Sequence, residues 1–498
     1  MDQYLDLITT WFRSFDIEPN IEKLKRQLSI IKTWFDKNCK GTVLAVTGFG
    51  KTYIALITIY RLNLKFPNSN IIVVVPGLDL HQAWIQHIKD FNLKNVEVWV
   101  VNSYVEYYLR TKQRHKAFLL IGDEVHNYLG KDAEVFNQTI TCTDFTCFLG
   151  LSATLEEQEE KTLEDMGLPI IDRVTMSEAR RNNYISNYTV YNLGISLDSS
   201  QMDAYKRLND IHNNNFAKFQ HFVDYDRNWE LLRACTAGNG VICKIGNETK
   251  TGKEWRTWYA EKMNWNGEND HPWSPNNISK YAQQWNWAMI ERKNFLYKNT
   301  DKVEVAAQII EKFNLPSITF SENTDFADAL AIRLGDSARA YHSNLVGQSL
   351  LEERVESRKT LKAAKVLVAK FKAYTYYWDE IEKTYKIHYK APVKVGVSRI
   401  KKQIINLFRD GQIKTICTAK ALDEGFDVPG IELGIIASAT SKQRQSIQRS
   451  GRIVRYVEGK TARIINLYIK GTQDETWLKK RQKGETNIRW IDSINEIL

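Results

Sequence analysis

The chain has 498 residues, 43% of them hydrophobic, and 69 Lys/Arg against 59 Asp/Glu give a formal net charge of +10; that length accommodates two to four domains. No run of 18 apolar residues occurs, and the start MDQYLDLITTWFRSFD lacks the basic, apolar and small-residue regions of a secretory signal, so a soluble, cytoplasmic protein is expected. Six cysteines without CxxC pairs speak against a zinc or redox motif and read as reduced, mostly buried thiols.

In chain order, residues 1–20 read as a helical arm. GTVLAVTGFGKTYIAL (41–56) begins as an apolar strand, passes through Thr47, Gly48, Phe49 and Gly50, and continues after Lys51 and Thr52 as a helix. Glycines let backbone wrap phosphate oxygens, Lys51 can reach the β/γ-phosphates, and the Thr52 hydroxyl can bind Mg²⁺. Ala45 stands where the first glycine of GxxxxGK[ST] belongs. A second apolar strand, FLLIGDEVH (118–126), runs out into Asp123 and Glu124. At the carboxyl end of a parallel strand, Asp123 would hold Mg²⁺ and Glu124 would orient or deprotonate the attacking water. Together the two motifs point to hydrolysis of a nucleoside triphosphate, ATP with Mg²⁺.

Residues 197–299 contain seven of the fourteen tryptophans, among loops rich in Asn, Gly and Pro. Those indoles can stack on unpaired bases or build the core of a small inserted subdomain. From Arg358 to Lys402, thirteen Lys/Arg face three Asp/Glu, an excess of ten that equals the net charge of the whole chain. Within it VLVAKFKAYTYYW (366–378) and TYKIHYKAPVKV (384–395) alternate around a DEIEK turn, which predicts a β-hairpin. One face would carry Lys370, Lys372, Lys386, His388 and Lys390, the other Leu367, Phe371, Tyr385, Ile387 and Tyr389. Such a strip can grip duplex DNA or act as a wedge at a fork; alternatively its lysines protect an exposed edge strand. Near the end, QRSGRIVR (448–455) repeats Arg449, Arg452 and Arg455 every third residue, three permanent charges loosely on one side of a helix.

The motifs, in order, resemble those of superfamily 2 helicases and translocases of the DExH type. AVTGFGKT (45–52), VVVPGLDLHQAW (73–84), GDEVH (122–126), LSAT (151–154), ITFSENTDFADAL (318–330), YHS (341–343), ALDEGFDVP (421–429) and QRSGRIVR carry the likeness. QRxGRxxR without a second glycine, Val454 standing in its place, together with LDEGFDVP, is most similar to XPB-type repair helicases and phage helicases of the UvsW kind. The resemblance implies an α/β fold of two tandem RecA-like parallel-sheet domains, at 21–196 and 300–480, with ATP in the cleft between them. The Trp-rich subdomain (197–299) lies between them in sequence, the basic hairpin insertion spans about 345–398, and 481–498 is a tail.

Further site roles are implied by the same likeness. Arg452 and Arg455 would reach the γ-phosphate from the second domain, with Gln448 near the attacking water and Asp427 at the nucleotide. Gln27 would read the adenine, and Ser152 and Thr154 would relay the γ-phosphate state to the nucleic-acid side. Ala419 replaces the usual Thr or Ser of the motif before Lys420, so either Thr418 takes over that phosphate contact or the contact is absent. The expectation is an ATP-dependent motor, a monomer, acting on duplex, forked or branched DNA in recombination, repair or replication, of viral or mobile-element origin. The alternatives are a DExH RNA helicase and the motor subunit of a restriction or nuclease assembly with a partner protein. A scaffold with a dead ATPase is disfavoured by the intact Lys51, Asp123, Glu124, Arg452 and Arg455.

Overall fold

The computed structural model describes residues 2–129, 138–222, 224–345, 349–371, 375–394, 396–419, 430–440, 443–454, 459–482 and 487–498, with 2, 349–354, 370, 371, 390–394, 443–446 and 448 described by backbone alone. The chain divides into two compact units, the first comprising 1–192, 304–466 and 480–489, the second 193–303, 467–479 and 490–498. Among the described residues no helix is long and apolar enough to cross a membrane.

In the first unit, β1 (Lys40–Ala45), β2 (Ile71–Val75), β3 (Val96–Val100), β4 (His115–Asp123), β5 (Thr143–Ser152) and β6 (Ile170–Val174) form one sheet in the order β3-β2-β4-β5-β1-β6. Every pairing is parallel. A parallel sheet covered on both faces needs strands apolar on both sides, which is why IIVVV of β2 is buried at every position. The register aligns Leu44 with Ser152 and Asp123 with Leu151. The glycine loop after β1, the acid pair after β4 and the LSAT segment after β5 therefore leave the same edge of the sheet. The N-terminal arm, helix Asp2–Arg13, joins this domain's core: Trp11 stacks on Tyr60 at 4.3 Å and Phe12 meets Tyr53 edge-on at 5.4 Å.

β7 (Asn187–Ile195) is followed by the second unit, with helices Ser199–Ala217, Tyr225–Thr236, Gly252–Lys262 and Pro275–Tyr297 and the hairpin β8 (Ile242–Ile245) with β9 (Glu248–Thr251). Of its two tryptophan readings, the core reading describes six of the seven. Trp255 and Trp285 are buried, and Trp229, Trp258, Trp265 and Trp273 pack on them, while Trp287 is exposed. Lys302 and Asp474, both fully buried, form an ion pair at 2.6 Å within this unit.

The second sheet adds to β7 the strands β10 (Ser317–Ser321) and β11 (Ala338–Tyr341), followed along the chain by β12 (Ser349–Arg358), β13 (Thr375–Asp379) and β14 (Thr384–Lys394) of the insertion. It is completed by β15 (Thr415–Ala419), β16 (Leu433–Ile436), β17 (Thr461–Ile469) and β18 (Ile488–Ile491), in the order β11-β15-β10-β16-β17-β7-β18. Two expected boundaries shift. β7, read as the close of the first domain at 196, pairs in the second sheet, and β18, read as part of a tail, is that sheet's edge. The amides explain the placement of β7: buried Asn192 accepts from Asn466 of β17 at 3.0 Å and donates to Gln482 at 2.7 Å, so polar groups in an apolar strand satisfy one another.

The insertion corrects the expected hairpin. It is a three-stranded antiparallel sheet, β12-β14-β13, with helix Leu361–Phe371 packed on it. β14 lies where predicted, and Asp379 holds the turn before it by accepting from the amides of Ile381 and Glu382. Residues 366–371 are helical instead of extended. In LKAAKVLVAKF the apolar residues Leu361, Ala364, Leu367 and Val368 recur at helical spacing among good helix formers, and this outweighs a short alternation. Ala364 and Leu367 bury against Ile387 and Tyr389. Lys370 therefore sits on the helix and Lys386 on a strand, so the expected single lysine face does not exist.

Candidate nucleotide site

A cavity of about 380 Å³ in the first unit is lined by the glycine loop, the acid pair and Arg452. That is within the size range of small-molecule sites. The local sequence builds it. Gly48 (φ 91°) and Gly50 (φ 89°) take left-handed backbone that side chains rarely adopt, which curls the loop ahead of helix Lys51–Lys65. No side chain caps that helix, and the Thr47 hydroxyl is buried without a hydrogen-bond partner. Uncapped first-turn amides and an orphaned hydroxyl suit a bound anion. Lys51 Nζ donates to the Ala45 carbonyl at 3.3 Å and lies 3.6 Å from Glu124. Lys23 Nζ braces the loop from outside by donating to the Gly48 carbonyl at 2.7 Å.

Glu124 itself stands in left-handed backbone (φ 49°), unusual for a residue with a side chain, and begins the short turn Val125–Tyr128. Its amide donates to Asp123 Oδ1 at 3.1 Å, and Asn127 donates to its carbonyl from both amide groups. This turn sends the two neighbouring carboxylates in different directions. Asp123 Oδ2 accepts from Trp84 Nε1 at 2.8 Å; burial and the Glu124 charge push its carboxyl up to about 6, against Trp84 and Lys51. Burial would also raise Glu124, but Lys51, His126 and Arg452 hold it below the usual carboxylate range. The pair is thus differentiated by its surroundings, an arrangement common where neighbouring acids carry different roles.

His126 and Ser152 extend the site. His126 Nδ1 lies 3.5 Å from Glu124 and 3.0 Å from the Ser152 hydroxyl, which donates to the Thr154 carbonyl at 2.9 Å. The expected relay residues are therefore connected to Glu124, through a histidine to which sequence reasoning gave no role. The Thr154 hydroxyl is buried without a hydrogen-bond partner. Gln27 lines the cavity, and its side-chain amide donates to the Phe49 and Gly50 carbonyls at 3.0 and 3.3 Å, so it fastens the loop. Phe12, Ile17 and Leu80 add apolar lining that the motif search did not find.

The arginine triplet divides. On helix Gln443–Ile453, Arg452 lines the cavity, whereas Arg449 is buried within the second domain, donating to the Ser438 carbonyl at 3.0 Å and to Glu322 at 2.7 Å. Between them Gly451 touches Thr47 of the glycine loop, bringing the second domain against the first. The Glu322–Arg449 pair yields a direct expectation. Glu322→Ala removes the carboxylate that balances a buried guanidinium and should lower stability by about 3–5 kcal/mol, read as a fall in the chemical-denaturation midpoint. An unchanged midpoint would show that the pair does not fasten the arginine helix.

Thr418 is buried in β15. Lys386 forms an ion pair with Glu382. Lys372, Asp427 and Arg455, with ALDEGFDVP as a whole, lie outside the described residues, as do the side chains of Lys370, Lys390 and Gln448.

The groups present fit ATP and a divalent cation: Thr52 and Asp123 for the metal, Lys51 and the loop amides for phosphate, Arg452 opposite them. Residues 17–107 match the model "Type III restriction enzyme, res subunit" and 368–457 match "Helicase conserved C-terminal domain". The chain is 23% identical over 488 residues, 94% of its length and 86% of the relative's, to "DNA 3'-5' translocase XPB2" of Sulfurisphaera tokodaii. A "51.5 kDa protein" of a Lactococcus phage is 35% identical over 91 residues, 16% of this chain and 20% of that one. The solved Hef helicase domain of Pyrococcus furiosus superposes at TM-score 0.47 and 15% identity, over 91% of this chain and 97% of that one. With its ordered motifs, its tandem parallel-sheet domains and both matched models, the chain is similar to superfamily 2 helicases of the XPB-like kind.

Proposed function

We propose that this chain is an ATP- and Mg²⁺-dependent DNA translocase or helicase working on duplex DNA that carries a fork, a branch or a single-stranded tail. The observation that carries the motor reading is the shared cavity, where Lys51, Asp123 and Glu124 of one parallel-sheet domain meet Arg452 of the other. Hydrolysis needs both sides, so chemistry is tied to closure, and repeated closure moves the chain along a phosphate backbone.

In this reading the loop amides and Lys51 orient the phosphates, Thr52 and Asp123 hold the cation, and Glu124 takes the proton of the attacking water. Arg452 stabilises charge on the transferring phosphoryl group. When bound, Mg²⁺ neutralises phosphate charge. His126, touching both Glu124 and Ser152, positions the base and links it to the LSAT segment. DNA is favoured by the translocase named among the relatives and by the basic excess between Arg358 and Lys402. The chain would act in the cytoplasm, as a monomer, in recombination, repair or replication.

Steady-state ATP hydrolysis tests this with no nucleic acid, single-stranded DNA, duplex, a four-way junction and matched RNA. Strong stimulation by forked or branched DNA, lost in Lys51→Ala and falling steeply with salt as phosphate contacts release counterions, is the expected result. Preference for RNA would transfer the chain to the RNA helicases, and no stimulation would indicate a motor that needs a partner protein.

A further inference from the structure

Asp123 is held by a residue outside the glycine loop and the acid pair. Helix Leu78–Asp90 follows β2 and lays Leu80, Ala83, Trp84 and His87 along the nucleotide cavity. Spacings of three and four residues put these side chains on one side of that helix. β2 pairs with β4, Val74 opposite Gly122, and the Tyr128 hydroxyl reaches the Val74 and Asp123 carbonyls at 2.6 and 2.7 Å. The two strand ends are tied together, so the helix after β2 starts at a set distance from Asp123. From it the indole of Trp84, 1% exposed, donates through Nε1 to Asp123 Oδ2 at 2.8 Å. Asp123 Oδ1 accepts from the Glu124 amide at 3.1 Å. Each carboxylate oxygen thus has one donor, and among the described residues Oδ2 has no other.

We propose that Trp84 is a positioning residue for the metal ligand: its N–H fixes the Asp123 carboxylate in the orientation that receives the Mg²⁺ of the nucleotide. The inference rests on the reading of Asp123 as the group that holds the cation, and it adds the group that aims it. Apolar packing accounts for the indole ring, which joins the domain's core. It does not account for where the one polar atom of that ring points, at a buried carboxylate in the wall of the nucleotide cavity. A carboxylate held only by the amide of the next residue can still turn about its own side-chain torsions. A second, charge-assisted bond from a separate element leaves it one orientation. Hydrogen-bond partners of this kind behind a metal ligand are typically worth about ten- to a hundredfold in metal affinity. The metal site is then built by three elements: β4 supplies the carboxylate, the turn after it one donor, and helix Leu78–Asp90 the other.

The test is fluorescence anisotropy of a mant-labelled, non-hydrolysable ATP analogue on the full chain, in Mg²⁺ and in EDTA, for wild type, Trp84→Phe, Trp84→His and Asp123→Asn. The quantity read is the factor by which Mg²⁺ tightens binding. Trp84→Phe keeps an aromatic ring and removes the donor, so that factor should fall by about tenfold, or to the floor set by Asp123→Asn, with affinity in EDTA unchanged. Trp84→His packs less well, but its Nε2 can take the place of the indole N–H, and it should retain most of the wild-type factor. A wild-type factor in Trp84→Phe overturns the proposal. So does an equal loss in Trp84→His, which would make the ring and not the N–H responsible, and so does lost affinity in EDTA, which would mean that the indole only shapes the cavity. If Asp123→Asn keeps the wild-type factor, the reading of Asp123 as the cation's ligand itself fails.

Discussion

Arg452→Ala is expected to lower nucleic-acid-stimulated ATP turnover by about three to five orders of magnitude, the effect typical of removing an arginine that stabilises a transferring phosphoryl group. Arg452 is well suited to that effect. It is buried, it lines the cavity opposite Lys51, and its charge already reaches Glu124, whose carboxyl it helps to hold ionised. Arg452→Lys should recover little, since an ammonium cannot offer two fixed N–H donors to one phosphoryl group. Binding of a fluorescent ATP analogue, measured beside turnover, should change far less, because the loop and Lys51 stay intact. A turnover loss below tenfold would move the decisive charge to Arg455.

The second large effect is expected from a single methyl group. A Cβ at Gly451 would lie 2.2 Å from Thr47 Cβ and 3.1 Å from its Cα, too close for either residue to keep its place. Gly451→Ala should therefore hold the second domain off the glycine loop and reduce stimulated turnover by about a hundredfold or more, since misplacement of a catalytic group by about 1 Å has that consequence. Stability should move the other way. Alanine favours a helix over glycine by about 1 kcal/mol, so the variant should melt no lower than wild type. Thr47→Gly in the same chain would remove the colliding side chain and restore part of the turnover. Wild-type turnover in Gly451→Ala would mean that hydrolysis proceeds without this contact.

Much of the cavity was legible because its parts are local. Strand, glycine loop and helix occupy consecutive residues, and Asp123 and Glu124 end a single apolar run. Arg452 could be assigned from QRSGRIVR, but its division of labour with Arg449 could not. That depends on Glu322 and Ser438, which are distant in sequence and become neighbours only when β10 and β16 pair. Trp84 and His126 were present in quoted motifs without a role, because a hydrogen bond from a helix or a turn to a strand end distant in sequence leaves no periodicity behind. The domain boundary at β7 failed for a similar reason. Nothing in NYTVYNLGI says which of two parallel sheets it will join; Asn466 and Gln482, far along the chain, answer with their amides. In the insertion, a run that alternates for a few residues also satisfied helical spacing, and the longer pattern prevailed.

The insertion's first and last strands are partners: Ser349 pairs with Lys394 and the ladder continues to Arg358 opposite Tyr385. The chain thus departs from the second domain and comes back to it as two adjacent strands, closed like the stem of a leaf. A graft of that shape makes little demand on its host, since its ends are already together and its small core is its own. Lineages carrying this motor can gain, lose or exchange such a module without redesigning the engine beneath it, so the basic segment and the ATPase are free to evolve at different speeds.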